Sequence, residues 1–171
     1  DTINDLSNGI FIIDHEVIIK QEIEIKNAFV LFNEAGKLII ETGRVTMKNS
    51  YFVDGYIGVV SENGSLVVEN CNFKNTYIDF KTIYSVNSID RSIIYNSVLD
   101  FNFPVESENP IKNSKISDCN IISQKKSELR GFMWYSFGTD IQGVQKQEDV
   151  RVKEVLEKGN NILKNIDYDF K

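Results

Sequence analysis

The chain has 171 residues, 42% of them hydrophobic and 26% charged, enough for one domain to bury a core without disulfide or metal staples. A formal net charge of −6 argues against a nucleic-acid partner, because nothing offsets phosphate repulsion. No apolar run approaches the ~18–20 residues of a bilayer-crossing helix, so no membrane span is expected. The sequence opens at Asp1 without Met or a signal-like stretch, which reads as a processed protein or a piece of a longer one.

In chain order, residues 10–13 and 17–19 read as strands of an entry coil, with His15 as a turn residue between Asp14 and Glu16. A six-residue phrase then recurs: apolar, any, Asn or Asp, small, any, apolar. Its copies are Ile25-Lys26-Asn27-Ala28-Phe29-Val30, Met47-Lys48-Asn49-Ser50-Tyr51-Phe52, Val68-Glu69-Asn70-Cys71-Asn72-Phe73, Ile94-Tyr95-Asn96-Ser97-Val98-Leu99 and Ile116-Ser117-Asp118-Cys119-Asn120-Ile121. From 27 to 49, 70, 96 and 118 the steps are 22, 21, 26 and 22 residues, the period of a solenoid with one coil per repeat. Each phrase makes sense as strand, one-residue bend, strand. Asn tolerates the left-handed conformation that resets side-chain alternation, and an Asn column can bond into an amide ladder. The 26-residue step is expected to carry about four extra residues within 74–92.

Cys71 and Cys119 fall at one phase of the repeat, two coils and roughly 9–10 Å apart, beyond the ~7 Å disulfide limit; both are predicted to be free and buried. Gly-containing turns at 34–37 and 62–65 launch strands. Pro104 and Pro110 mark residues 101–113 as an acidic loop, with Glu106-Ser107-Glu108 solvated. After Ser123 the rhythm stops. Residues 131–138 form a dense aromatic stretch, residues 146–158 read as an amphipathic helix, and Ile162, Leu163 and Ile166 read as a second short turn. Residues 1–145 are therefore expected as the solenoid and 146–171 as a helical cap on one end. The other end has no obvious cover.

The phrase and its spacing, over roughly residues 10–123, resemble the right-handed parallel β-helix of pectate-lyase-like proteins, phage tailspikes and bacterial surface proteins. The resemblance implies an all-β fold, a right-handed parallel β-helix, here of about five to six coils and closed by the C-terminal α-helical cap read from residues 146–158. An antiparallel β-sandwich is the competing reading, but sandwiches do not hold a small residue in phase over five repeats. Function is less specific, since the fold hosts lyases, hydrolases, adhesins and spacers alike. A secreted or surface address follows from the resemblance, while two free cysteines also suit the cytoplasm.

Enzymes of that fold carry acids and bases on outward columns of one face. Two such columns read Lys26, Lys48, Glu69, Tyr95, Ser117 and Phe29, Tyr51, Asn72, Val98, Asn120; neither stacks two carboxylates. The remaining catalytic candidates are Asp79, Asp90, Arg91 and Asp100, with Lys81, around the long step. Trp134 and Tyr135 are candidates for sugar stacking, against the plainer reading that this aromatic stretch closes the core. One His and two separated Cys exclude a structural zinc site, and no cofactor motif is present. Phe29, Leu31, Tyr51, Val53 and Ile122 face outward yet are apolar, so either the C-terminal helix lies over them or a partner chain does. The expected function is a non-catalytic binding or scaffold module for protein or carbohydrate, with end-to-end or side-by-side oligomers covering the bare end. A small carbohydrate-active lyase or hydrolase and an acidic inhibitor of a basic partner are the alternatives.

Overall fold

The computed structural model describes residues 6–81, 87–102, 110–124 and 152–171. The chain makes β1 (Leu6–Ser7), β2 (Ile10–Ile13) and β3 (Glu16–Ile19), then repeats the triplet. The next two turns are β4 (Ile23–Lys26), β5 (Phe29–Phe32), β6 (Lys37–Ile40) and β7 (Gly43–Lys48), β8 (Tyr51–Val53), β9 (Tyr56–Val59). Then come β10 (Gly64–Glu69), β11 (Asn72–Lys74), β12 (Tyr77–Phe80) and β13 (Ser88–Asp90), β14 (Ile93–Tyr95), β15 (Val98–Phe101). β16 (Ile111–Lys112) and the long β17 (Lys115–Ser123) follow, and after them a helix over residues 152–158, α1, and β18 (Ile162–Phe170).

Like strands stack on like, all parallel, which makes a β-solenoid of about five turns with three faces. The first face is β1-β4-β7-β10-β13-β16. The second runs β2-β5-β8-β11-β14 onto the first half of β17, and the third β3-β6-β9-β12-β15 onto its second half.

Strand alternation decides the core. Leu6, Ile25, Met47, Val68, Ile89 and Ile111 form one buried column in register, and Val30, Phe52, Phe73, Ile94 and Ile116 another. Ile57, Ile78, Leu99 and Ile121 line the third face from inside. In-register stacking also brings rings together: Phe52 on Phe73 at 5.1 Å and Phe80 on Phe101 at 5.3 Å between centroids.

Left-handed residues mark two corners of the turn, not one: the first in every turn, the second from β8 onward. The first holds Asn8, Asn27, Asn49, Asn70, Arg91, Asn113 and Asn160; the second holds Asp54, Asn75, Asn96, Asp118 and Asn165, all at φ between 47° and 63°. Side-chain amides ladder along both. Asn70 Nδ2 donates to Asn49 Oδ1 at 2.9 Å and Asn27 Nδ2 to Asn8 Oδ1 at 3.0 Å; on the second corner Asn96 donates to Asn75 and Asn75 to Asp54, each at 2.7 Å. The sequence column 27, 49, 70, 96, 118 therefore changes corner between 70 and 96. Along either corner the step there is 21 residues (Glu69 opposite Asp90, Lys74 opposite Tyr95), so the expected four-residue insertion is absent.

The small position after each corner has its own chemistry. Ser50 Oγ accepts from the Ala28 amide at 3.0 Å and donates to the Lys48 carbonyl at 2.8 Å; Ser92, Ser97 and Ser114 repeat this pattern. The bend takes those backbone groups out of the strand ladder, and a buried hydroxyl restores their bonds. Cys71 sits in this column at the first corner and Cys119 at the second, so they share no phase; both are free and buried. Burial pushes the Cys71 thiol up to about 11.

The rhythm does not end at Ser123. β18 pairs with β17 from Lys115↔Ile162 to Ser123↔Phe170, and Leu163-Lys164-Asn165-Ile166-Asp167-Tyr168 repeats the phrase with Ile166 in place of a small residue. The short helical turn expected around Ile162 and Ile166 is instead a strand, because the open edge of β17 offers a full set of backbone partners. Residues 152–158 are helical as expected and bury Val152 and Leu156. In chain order α1 takes the place of the first-face strand, just before the corner at Asn160. The segments 82–86, 103–109 and 131–138, with Trp134 and Tyr135, lie outside the described residues.

The corners predict a graded mutational series at Asn49, read by denaturant unfolding. Asn49→Gly keeps φ near 50° and loses the amide bonds, costing about 1 kcal/mol. Asn49→Val adds left-handed strain, for a total of about 2–3 kcal/mol. Equal losses would show that the conformation contributes nothing.

Candidate functional site

Two of the four catalytic candidates meet on the third face. Asp79 and Asp100 are register partners on β12 and β15, roughly 4.8 Å apart as neighbouring strands are. They point outward, yet are only 6% and 3% exposed. The outward columns read from sequence showed no such stack because they mixed faces: Lys26, Lys48 and Glu69 belong to the first, Phe29, Tyr51, Asn72, Tyr95 and Ser117 to the second, Val98 and Asn120 to the third.

Two tyrosines from the same face cover the carboxylates. Tyr56 donates its hydroxyl to Asp79 Oδ2 at 2.5 Å, Tyr77 donates to Asp100 Oδ2, and the two rings stack at 5.6 Å. Gly58 makes room for this. A Cβ there would lie 2.7 Å from Tyr56 Cε1 and 2.8 Å from its hydroxyl oxygen, so any side chain at 58 would force the ring off the sheet. Asn102 Nδ2 donates to Asp79 Oδ1 at 3.3 Å, and Lys81 Nζ lies 3.8 Å from Asp79 Oδ2. Lys171 Nζ grips both oxygens of Asp100, at 2.7 and 2.6 Å.

All four carboxylate oxygens thus have partners within the chain, and two ammonium groups balance two carboxylates. Burial, and then the bonds to Asp79 and Asp100, raise Tyr56 and Tyr77 above the ordinary tyrosine range, since ionised phenolates would face carboxylates. A carboxylate pair at this spacing suits glycoside hydrolysis in principle, but that chemistry needs an oxygen free to meet a sugar. The arrangement is a clasp that ties Lys171 to β15. Sequence reasoning missed Tyr56, Tyr77, Asn102 and Lys171; the tyrosines' 21-residue spacing was the available signal.

Asp90 and Arg91 lie elsewhere, at the first corner. Arg91 pairs with Glu69 and, at 3.2 Å through Nε, with Asp90, all on the surface. Arg91 also interrupts the amide ladder, and Asp90 Oδ1 fills the gap by accepting from Asn113 Nδ2 at 2.7 Å. His15 Nδ1 contacts Asp14 Oδ1 at 2.6 Å in an exposed turn. Among the described residues no three His, Cys, Asp or Glu side chains gather as a metal site. An open depression of about 800 Å³ at the second corner is bordered by Asp14, Leu31, Asn33, Glu34 and Asp54.

The second face carries the other notable surface. Ile10, Phe29 and Tyr51 are register partners, as are Ile12, Leu31 and Val53. Ile10 is 79%, Ile12 62%, Phe29 40% and Tyr51 53% exposed, so α1 does not cover this face. Ile12 and Ile10 were missed because the entry strand reads as four apolar residues without alternation. Ile122, grouped with this patch from sequence, lies half-buried on the third face instead.

Two predictions follow from the clasp. Lys171→Met leaves the buried Asp100 carboxylate without its cation and should cost about 1–3 kcal/mol; adding Asp100→Asn should recover part of this, and strictly additive losses in the double-mutant cycle would refute the coupling. The raised tyrosines act at alkaline pH. Above about pH 10 the unfolded chain loses protons that the native state keeps, so stability is intact below that value and falls as pH rises past it. Tyr56→Phe with Tyr77→Phe should flatten that fall in urea titrations run from pH 8 to 11, and an unchanged slope would count against it.

Against known proteins, the chain matches no family model and no curated protein sequence.

Proposed function

We propose that this chain is a non-catalytic β-solenoid module, of the pectate-lyase-like architecture its repeats resemble, that binds a protein partner through its second face as part of a larger surface, phage or secreted assembly. The observation that carries this reading is the contrast between two faces. On the third face the Asp79–Asp100 pair is buried and bonded to internal partners, whereas the second presents two apolar columns to solvent. Contiguous exposed apolar surface of that kind is what protein interfaces bury.

Carbohydrate fits the second face less well. A pyranose stacks on the flat of an aromatic ring, but Phe29 and Tyr51 stack on each other at 6.3 Å and 24°, which turns their flats along the column and their edges outward. The Asp79–Asp100 pair is the one feature that favours an enzyme instead. A panel of uronate-containing and neutral polysaccharides, assayed for new reducing ends and unsaturated products, separates the two. No turnover above that of Asp79→Asn/Asp100→Asn is expected. Turnover that those substitutions abolish would replace the module with a carbohydrate-active enzyme.

A further inference from the structure

The edges of the second face differ in charge, and that difference selects an occupant for it. On the first-corner side stand Lys26, exposed, and Lys48, which shares its charge with Glu24 at 3.7 Å. On the second-corner side stand Asp14, Glu34 and Asp54, all exposed. Between them lie the aromatic-bearing column Ile10, Phe29, Tyr51, next to the basic edge, and the aliphatic column Ile12, Leu31, Val53, next to the acidic edge. Asn72 and Lys74 on β11 interrupt the apolar columns after three rungs, and exposed Ile93 and Tyr95 follow them one rung on.

We infer that the partner on this face is a second copy of the chain, packed side by side and parallel about a twofold axis that runs along the solenoid. Two ways of laying the face on itself exist. With the twofold axis parallel to the solenoid, each basic edge meets the other copy's acidic edge, and each aromatic column meets an aliphatic one at the same rung. With the axis perpendicular, the copies run antiparallel, and basic edge meets basic edge while acidic meets acidic. The first arrangement gains attraction at both rims and packs rings against branched side chains; the second incurs repulsion at both. A twofold contact is also closed, so it stops at two copies and leaves the solenoid ends out of the interface. Two columns over three rungs are small against the ~800 Å² per partner of a standard interface, so the dimer is reversible and dissociates on dilution.

This inference rests on the second face being the working surface, and its test is separate from the polysaccharide assay. Light scattering and small-angle X-ray scattering, from micromolar to several hundred micromolar protein, should show a monomer giving way to a dimer that is broad, not elongated. Phe29→Asp with Tyr51→Asp, at exposed sites and checked for unchanged melting, should abolish the dimer. Lys26→Glu with Lys48→Glu should weaken it at least tenfold by setting acid against acid at both rims. Adding Asp14→Lys and Glu34→Lys to that variant should restore it.

A monomer at every concentration overturns the inference, and absence of polysaccharide turnover would then leave the module reading intact with a different partner. A dimer indifferent to the single-edge reversal is antiparallel and also overturns it. So does an elongated species that grows with concentration and ignores Phe29, because it joins end to end.

Discussion

The solenoid depends on the left-handed residues at its first and second corners. A strand sends successive side chains to opposite faces, so a chain turning from one face to the next would put an apolar residue outside at every turn. One residue at φ near 50° shifts the alternation by a step and keeps the apolar side chain inside. For most L residues that conformation costs about 1–2 kcal/mol, which repeated at twelve positions would exceed a typical domain's stability. Eleven of the twelve non-glycine residues at positive φ among those described are Asn or Asp, the types that tolerate it best. Their amides then bond along the axis, so the residue that permits the bend also ties one turn to the next.

That constraint is why the fold was legible in one sequence and why its register was not. Asn27, Asn49 and Asn70 mark the first corner cleanly. Arg91, the next member, breaks the pattern, while Asn96 at the second corner satisfies it, so a reader following Asn steps from one corner to the other and infers an insertion. Arg91 takes the same left-handed conformation, with its backbone amide bonded to the Lys112 carbonyl and its side chain paired with Glu69 and Asp90, contacts that no residue spacing announces. Likewise Asn165 was passed over because Ile166 follows it, although the edge of β17 accepts a larger side chain there.

The third-face clasp was half legible for a related reason. Asp79 and Asp100 were singled out, but only the correct register places them on adjacent rungs, and only then do Tyr56 and Tyr77 fall one rung before each of them in turn. Lys171 is 71 residues from Asp100 and reaches it solely because β18 resumes the solenoid. Stacking like on like suits apolar and amide columns, but it makes carboxylates repel. A solenoid that stacks two acids must bring cations and hydrogen-bond donors to them, and here each carboxylate oxygen has at least one such partner.

The same rule gives the second face its character. Parallel in-register coils turn any local sequence preference into a column, so Phe29 above Tyr51 and Leu31 above Val53 become stripes, and Asp14, Glu34 and Asp54 become a charged margin. A stripe with unlike margins has a direction across the face, whereas the repeat itself has a direction along the axis. Together they fix how a second such surface can lie on it: parallel alignment keeps rungs level and crosses the margins, and no other twofold arrangement does both. Specific association in a repeat protein of this kind therefore needs no specialised loop, only a few adjacent rungs whose outward residues break the symmetry between the two edges of one sheet.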